Sequence, residues 1–358
     1  MPVVVDALAA RYGGGAVAAI EVAHGLADAN EIGEVVVVAR RGSLVAAGLR
    51  PRPGLRLVTL RDARRLELVR RLLWQAVALP ALARRRPGTA VLTWSGLLPR
   101  AAGMRIVSVH ANPVMFEGRT IADRIRRFAA RRTARHADAL LVPTAELAAS
   151  AAAVLGRPTH VVALGVDHSC FRPARRAGTE LLCVADGYPH KRHDLVLAAW
   201  SALPEPRPVL RIIGDASAGG AAHALALSRD IERHRRAGPI VVESGLSVDA
   251  LVRAYHSARV VVLASEQESF SLPLLEALAC GVPAVARDLP ALRETGGAAT
   301  TFVAGDAPAD WSAAVARLLR DDGVHERARA AALAHAAGYG WERTSAVVAA
   351  HLAGTAPP

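Results

Sequence analysis

The amino-acid sequence predicts an α/β protein made of two doubly wound domains with parallel sheets. Three observations support this prediction. The chain has 358 residues, the length of about two ordinary domains. It opens with an apolar strand, a glycine run and a helical pattern over residues 2–29, which is the usual start of a doubly wound domain. Strand and helix patterns then alternate again over residues 181–320, which indicates a second parallel sheet.

The first domain begins with Pro2–Asp6 as a buried strand, followed by a glycine turn over residues 11–15 and a helix over residues 16–29. Gly14 and Gly15 lie where the helix N-terminus would point at a ligand, because backbone N–H groups there attract phosphate. A plain tight turn explains the same glycines equally well. Their spacing is not Gly-x-Gly-x-x-Gly, so the sequence does not predict a nicotinamide site.

Further strands and helices complete the first domain. The predicted strands cover residues 34–39, 55–60, 90–94, 105–109, 139–142 and 159–164, and the predicted helices cover 119–135 and 144–155. His110 directly follows one of these strands, and ligands of α/β domains lie at the carboxyl ends of strands. His110 could therefore handle a proton or bind a sugar hydroxyl. A purely structural histidine is the equal alternative.

Basic residues are concentrated in one segment. The net charge is +12, and residues 50–136 hold 20 arginines against 4 acidic residues. Arg124, Arg127, Arg131 and Arg135 fall on one face of the predicted helix. The segment predicts an anionic partner: we expect either an interfacial membrane surface or a merely solvated basic face. Nucleic acid is a weaker hypothesis, because few aromatic residues are present to stack on bases.

Cysteine usage and hydropathy indicate a compartment. The three cysteines lack metal-type spacing, which favours reduced thiols. Residues 1–30 do not show a signal-peptide pattern, and apolar runs stay shorter than the roughly 20 residues that a membrane span needs. We therefore expect a cytoplasmic protein, bound peripherally to the inner face of the membrane if the basic segment docks there.

The second domain opens with a strand at 181–185 and a loop that contains Lys191. Lys191 is the single lysine among 44 basic residues, which suggests a site that needs a compact ammonium group. Further strands are predicted at 210–214 and 240–243. The remaining predictions are helices at 248–257, 310–320, 325–337 and 341–352, and a turn at 290–297.

Two glutamates flank a predicted helix start in the second domain. Val260–Leu263 is a fully apolar strand, and Pro273 marks the helix after it. Glu268 lies in the loop between them, and Glu276 follows eight residues later in the predicted first turn. A helix N-terminus suits a phosphate, and carboxylates accept hydrogen bonds from vicinal hydroxyls, so this element predicts a nucleotide-sugar site. Ordinary helix charges are the alternative.

The string from Glu268 to Pro283, Glu-Ser-Phe-Ser-Leu-Pro-Leu-Leu-Glu-Ala-Leu-Ala-Cys-Gly-Val-Pro, resembles the signature of the retaining family-four glycosyltransferases of the GT-B fold, the glycosyl transferases group 1. Ser269 and Ser271 replace the usual glycines, and Leu278 replaces a methionine. The resemblance implies two Rossmann-like domains that face each other across a cleft, with a C-terminal helix that crosses back to the first domain. The implied domains are 1–173 on the acceptor side, 174–340 for the nucleotide sugar, and a final helical segment at 341–358.

The resemblance also implies site residues. Their roles are catalytic for His110, Lys191 and Glu268, and donor-binding for Gly14, Gly15, Arg192, Phe270, Ser271, Leu272 and Glu276. Asp186 stands where the family has an arginine that binds the diphosphate, and Arg192 is the candidate substitute. Because an Asp-x-Asp motif is missing from the sequence, we expect neither a metal nor a cofactor besides the nucleoside-diphosphate sugar as co-substrate.

The implied reaction is transfer of a sugar to an acceptor hydroxyl with retention of configuration. The acceptor would be a glycan, a lipid or a small molecule. Three alternatives stay open at this point: a phosphorylase of the same fold, a nucleotide-sugar epimerase, and a non-enzymatic protein that binds polyanions or membranes with a steep salt dependence.

Overall fold

The computed structural model describes residues 1–10, 13–61, 73–85, 88–94, 104–111 and 121–356. The chain divides into two compact units: unit 1 comprises Met1–Gly165 with Trp341–Pro358, and unit 2 comprises Val166–Gly340. Each unit contains one parallel sheet. The predicted fold class, two doubly wound α/β domains, is therefore confirmed. The division between the units follows Gly165, whereas the sequence analysis placed it after residue 173.

Unit 1 contains a sheet of seven strands in the order β3-β2-β1-β4-β5-β6-β7 among the described residues. The strands are β1 (Pro2–Asp6), β2 (Glu34–Arg40), β3 (Leu55–Leu60), β4 (Ala90–Trp94), β5 (Arg105–Val109), β6 (Ala139–Val142) and β7 (His160–Val161). The helices of this unit are α1 (Gly13–Asp28), α2 (Leu44–Gly48), α3 (Leu79–Arg85, after a π-helical turn at Trp74–Ala78), α4 (Ile121–Ala134), α5 (Ala145–Leu155) and the final helix α13 (Trp341–Ala353).

The first helix begins earlier than predicted. Gly14 and Gly15 lie in the first turn of α1, and Gly13 starts it with a φ of +65°. Glycine disfavours a helix interior by about 1 kcal/mol relative to alanine. The apolar face that follows, from Ala16 to Leu26, is buried and outweighs this preference. The predicted glycine turn is thus wrong for these three residues.

The final helix packs within unit 1, against α1, β4 and β5. A Cβ on Gly25 of α1 would lie 2.2 Å from Ser345 Oγ of α13, so the glycine permits a close approach of the two helices. Arg105 Nε donates a hydrogen bond of 2.6 Å to the carbonyl of His351. The C-terminal helix therefore returns to the N-terminal domain, as the resemblance implied.

Unit 2 contains a sheet of six strands in the order β10-β9-β8-β11-β12-β13 among the described residues. The strands are β8 (Glu180–Val184), β9 (Leu210–Ile213), β10 (Ile240–Glu243), β11 (Ala258–Leu263), β12 (Ala284–Arg287) and β13 (Thr300–Val303). The helices are α6 (His193–Ser201), α7 (Ala221–His234), α8 (Val248–Ser257), α9 (Leu272–Ala279), α10 (Pro290–Gly296), α11 (Pro308–Arg320) and α12 (Asp322–Ala336).

The core of unit 2 surrounds β11. Its residues Val260 to Leu263 are at most 2% exposed, because helices cover both faces of a parallel sheet. Trp200, Trp311 and Tyr255 are fully buried around it. Aliphatic and alanine side chains fill most of the remaining core, in keeping with an aromatic content of 4%.

Several local predictions failed. Residues 290–296 form helix α10 where a turn was predicted over 290–297, because Ala291 and Leu292 find buried positions after Pro290 starts the helix. The strand predicted at 159–164 shrinks to His160–Val161. Helices α2, α3, α6 and α7 were not predicted. Among the described residues, helices long and apolar enough to cross a membrane are not found.

Candidate active site

The candidate site of unit 2 lies where the chain reverses its direction across the sheet. Strands β8 and β11 are neighbours, but β8 continues to β9 on one side and β11 continues to β12 on the other. The carboxyl ends of two such strands are the usual position of the ligand crevice in doubly wound domains. Lys191 follows β8 in the chain, and Glu268 follows β11.

Lys191 and Glu268 form an ion pair in this crevice. Lys191 Nζ lies 2.7 Å from Glu268 Oε1. The side chains are 20% and 11% exposed, so both charges are largely shielded from water. The structure thus joins two residues that the sequence analysis singled out separately, 77 positions apart. An ammonium group has three donors, and this hydrogen bond uses one of them.

The backbone of the two loops holds the pair in place. The N–H of Glu266 donates to the carbonyl of His190 at 2.7 Å, which ties the β11 loop to the β8 loop. Lys191 ends a single 3₁₀ turn, and the rings of Tyr188 and His190 stack beside it with centroids 5.5 Å apart. Burial and the neighbouring ammonium of Lys191 lower the pKa of His190, while nearby carboxylates oppose this shift. The imidazole is therefore neutral at pH 7.

The N-terminus of α9 begins directly after the Glu268 loop. The first N–H groups of a helix have no intrahelical acceptor and carry a partial positive charge. Ser271 precedes the helix with a φ of +74°, a left-handed conformation that favours glycine, and its buried Oγ has no hydrogen-bond partner among the described residues. Thr295 Oγ1 donates to the carbonyl of Phe270 at 2.5 Å and fixes the loop from behind. Phe270 and Leu272 are buried.

Glu276 lies in the second turn of α9, not in the first turn as predicted, because the helix begins at Leu272. Its Oε2 accepts a hydrogen bond of 2.8 Å from the hydroxyl of Tyr255. Burial raises the pKa of Glu276 to about 7, although the hydrogen bond from Tyr255 lowers it in part. The carboxyl group therefore titrates near neutral pH, which is characteristic of functional sites as well as of buried charges.

The structure gives Arg192 other partners than a diphosphate. Its Nη1 lies 2.6 Å from Glu266 Oε1 and 2.8 Å from Asp306 Oδ2, and its Nε and Nη2 donate to Asp194. Asp186, which stands in place of the family's arginine, accepts a hydrogen bond from the N–H of Asp215 at 2.9 Å. The guanidinium is thus occupied by three carboxylates, and its substitution for the missing arginine stays a prediction.

His110 lies in unit 1, directly after β5. Its backbone N–H donates to the carbonyl of Leu141, and its Nε2 lies 3.1 Å from Ser108 Oγ. The side chain is fully buried, and this burial lowers the pKa of His110 to about 4. His110 is therefore neutral at physiological pH. The residues 112–120 that follow it lie outside the described part of the chain.

The glycines and arginines of unit 1 are only partly described. A Cβ on Gly15 would meet no atom within 4 Å, so this first turn of α1 has open space beside it. Much of the arginine-rich segment, including residues 62–72 and 95–103, lies outside the described residues. On α4, Arg124 is exposed and Phe128 is 68% exposed. Arg131 on the same helix donates to the carbonyl of Val154.

Sequence reasoning missed two residues that support this site. Tyr255 and Thr295 are buried and donate their hydroxyl hydrogens to Glu276 and to the loop carbonyl of Phe270. The sequence pattern predicted that Tyr255 lies in the helix at 248–257. The pattern does not show which acceptor its hydroxyl group reaches. Clusters of His, Cys, Asp and Glu suited to a metal ion are not found in the described residues.

The chain is similar to known proteins in its fold and in the sequence of its second unit. The two parallel-sheet units, with the last helix packed on the first unit, define a protein of the GT-B fold. Residues 174–335 match the family model of the glycosyl transferases group 1. The matched residues all lie in unit 2, so this unit carries the similarity to the family.

Curated proteins are similar to this chain at moderate identity. The D-inositol 3-phosphate glycosyltransferase of Thermomonospora curvata is 30% identical over 275 residues, a match that covers 69% of this chain and 64% of the relative. A D-inositol 3-phosphate glycosyltransferase of Kribbella flavida is 34% identical over 234 residues, covering 58% and 54%. The match spans less than two thirds of the length of these relatives.

Solved structures share the fold over almost the whole chain. HepE of Anabaena, in complex with UDP-glucose, superimposes with a TM-score of 0.81 at 14% identity and covers 99% of this chain and 100% of that one. Sucrose-phosphate synthase of Thermosynechococcus elongatus gives a TM-score of 0.82 at 16% identity, covering 98% and 97%. At these identities the likeness concerns the fold.

Proposed function

We propose that this protein transfers a sugar from a nucleoside-diphosphate sugar to an acceptor hydroxyl. The observation that carries the proposal is the Lys191–Glu268 ion pair, 2.7 Å long, at the strand crossover of unit 2 and next to the start of α9. The site combines a cation and helix N–H groups for a diphosphate with carboxylates for sugar hydroxyls. The match of residues 174–335 to the glycosyl transferases group 1 supports the same chemistry.

The leaving group of such a transfer is a nucleoside diphosphate whose negative charge grows in the transition state. Lys191 would donate to this diphosphate with the ammonium hydrogens that Glu268 does not use. The first N–H groups of α9 would add donors that need no reorganisation during the reaction. Groups of this kind accelerate the reaction because they bind the transition state more strongly than the substrate.

The two glutamates would bind the hydroxyl groups of the donor. Glu268 accepts from the sugar, and Glu276 accepts from the ribose. The identity of the base is open; UDP is the first nucleotide to test, because Anabaena HepE was crystallised with UDP-glucose. His110, neutral because its pKa is lowered to about 4, would act as a hydrogen-bond partner for the sugar or its acceptor and not as a cation.

Retention of configuration is part of the proposal and rests on the resemblance of the motif. We propose that retention is achieved without a protein nucleophile. We also propose that the reaction proceeds without a metal ion. A glycosyl-enzyme trapped on Glu268 would overturn the first statement, and loss of turnover in the presence of EDTA would overturn the second.

We further propose that the protein is cytoplasmic and docks on an anionic membrane surface through the arginine-rich segment. The exposed Phe128 between the basic residues of α4 favours this surface over a merely solvated one. A helix with basic and aromatic residues on its exposed side can insert an aromatic ring between anionic headgroups. A membrane-associated lipid or glycan would then be the acceptor.

Calorimetry of the purified protein with UDP, ADP and GDP and their sugars, in EDTA, tests the proposed function. We expect one nucleoside diphosphate to bind at micromolar concentration and its sugar to be turned over slowly by water. Arg293→Ala is a matched control, since this exposed arginine pairs with Asp288 away from Lys191. Absence of binding by all three nucleotides, together with salt-sensitive binding to heparin, would favour the non-enzymatic polyanion-binding alternative.

A further inference from the structure

Tyr255 is a buried side chain that the proposed mechanism does not use, although it contacts the candidate site. It lies near the end of α8 and is fully buried. Its hydroxyl lies 2.8 Å from Glu276 Oε2 and 3.2 Å from the carbonyl oxygen of Pro273. A phenol has only one hydrogen to donate. The carboxylate of Glu276 is closer and is the stronger acceptor, so it receives this hydrogen.

The surroundings of Tyr255 hold the ring in one position. The ring of Phe171 packs edge-on against it, with centroids 6.0 Å apart. Burial and the nearby carboxylate raise the pKa of Tyr255 well above its ordinary value, so the hydroxyl keeps its proton and donates it to Glu276 whenever that carboxyl group is ionised.

We infer that Tyr255 is a positioning residue for nucleotide binding: it holds Oε2 of Glu276 from within unit 2, so that the other carboxylate oxygen accepts the hydroxyl hydrogens of the ligand's ribose. The inference rests on the proposed function, because it assigns the ribose to Glu276. A long glutamate side chain otherwise samples several rotamers, and a ligand would have to select one of them at an entropic cost.

The inference includes a pH dependence, because a protonated carboxyl accepts hydrogen bonds poorly. The titratable groups that face Glu276 are Tyr255 from α8 and Cys280 from α9, with Cys183 of β8 behind Tyr255. Burial raises the pKa of both cysteines to about 12, so they are neutral at pH 7. The hydrogen bond from Tyr255 lowers the pKa of Glu276, so its removal moves ionisation of the carboxyl to higher pH.

The experiment compares UDP with 2′,3′-dideoxy-UDP in calorimetry of the full chain, using the wild type, Tyr255→Phe and the control Tyr339→Phe. Tyr339 also donates a partly buried hydroxyl hydrogen, but to the carbonyl of Glu294. We expect Tyr255→Phe to weaken UDP about tenfold, as for a lost hydrogen bond to a charged group, and to change dideoxy-UDP less than about twofold. We expect Tyr339→Phe to bind both like the wild type. If ADP or GDP binds instead, that nucleotide and its dideoxy analogue are used.

Two further measurements separate positioning from a structural effect. In the wild type, the preference for UDP over dideoxy-UDP should fall as the pH drops through about 7, and in Tyr255→Phe this fall should occur at higher pH. In a Glu276→Gln background, Tyr255→Phe should weaken UDP no further. An equal loss for both ligands, an additive loss, or an unchanged affinity would each overturn the inference. Failure of UDP, ADP and GDP to bind the wild type would overturn the proposed function and this inference with it.

Discussion

The two units have the same architecture but very different polar groups at their strand crossovers. In unit 1, Asp6 ends β1 and is 1% exposed; its carboxylate accepts from Gln75, Thr93 and the N–H of Leu8. In unit 2, Lys191 and Glu268 form a pair that stays partly exposed. The same position in the fold, the carboxyl ends of the strands at the crossover, therefore holds a buried hydrogen-bonded network in unit 1. In unit 2 it holds a charge pair that can exchange partners with a ligand.

The largest effect is expected for the charge pair. Lys191→Ala should reduce the rate of sugar transfer by about 10²–10³-fold, because it removes the ammonium group proposed to stabilise the leaving diphosphate. A steady-state assay measures this loss, with the nucleotide sugar whose nucleoside diphosphate binds in calorimetry. Lys191→Arg should recover only part of the rate, since a planar guanidinium cannot take the position of a compact ammonium group. Full activity of Lys191→Ala would contradict a catalytic role for the charge pair, and the polar groups at both crossovers would then be structural.

An intermediate effect is expected for Glu276, through stability. Its pKa rises from an ordinary value of 4.5 to about 7 in the folded protein, so the folded state binds more protons between these values and stability falls as the pH rises through this window. The cost above pH 7 is at most about 3 kcal/mol, since one pKa unit corresponds to 1.36 kcal/mol. Glu276→Gln should therefore unfold at higher urea concentration than the wild type at pH 8, with little difference at pH 4.5.

The same variant should bind the nucleotide more weakly, which sharpens the comparison: the carboxyl group of Glu276 would cost stability in unit 2 and serve binding there. Equal urea midpoints for Glu276→Gln and the wild type at pH 8 would show that the carboxyl group is not buried at a cost.

The smallest effect is expected for the basic face of unit 1. Arg124→Glu combined with Arg127→Glu should lower binding to vesicles of phosphatidylserine and phosphatidylcholine at least about tenfold, since each basic residue near an anionic surface contributes about 1 kcal/mol and about 1.4 kcal/mol is tenfold in affinity. Arg131 is left unchanged because it bonds to the carbonyl of Val154. Co-sedimentation measures the change, and Arg293→Glu in unit 2 is the control. Vesicle binding that does not respond would leave the face as a solvated surface.

The sequence was sufficient for the fold because apolar strands and helical spacing alternate through both units. Long, strongly patterned elements such as β11 and α13 were predicted almost to their ends. Some errors fell where packing outweighs local preference: the glycines at the start of α1 are helical, and residues 290–296 form a helix where a turn was expected. Helices α6 and α7 were missed although they are longer.

The candidate site was only partly predictable. Lys191 was notable for its rarity and Glu268 for its motif, but their contact joins residues 77 positions apart and depends on the order of strands in the sheet. Two of the three carboxylates around Arg192, those of Glu266 and Asp306, come from loops far along the chain, and the hydroxyl of Tyr255 has no periodic signal. The roles of these residues stay predictions until the variants are measured.

The ion pair between Lys191 and Glu268 also has a consequence for selectivity. Because the two charges cancel, the crevice does not present a net positive charge to every anion in solution. Inorganic phosphate could accept the ammonium hydrogens that Glu268 does not use, but it would bring a second negative charge beside the carboxylate of Glu268, 11% exposed, and would offer it no hydroxyl groups. A ligand that supplies a diphosphate to one member and hydroxyl groups to the other compensates both. The pair therefore selects for ligands that carry both a phosphate group for Lys191 and hydroxyl groups for Glu268. The abundant small phosphates of a cell supply only the first of these.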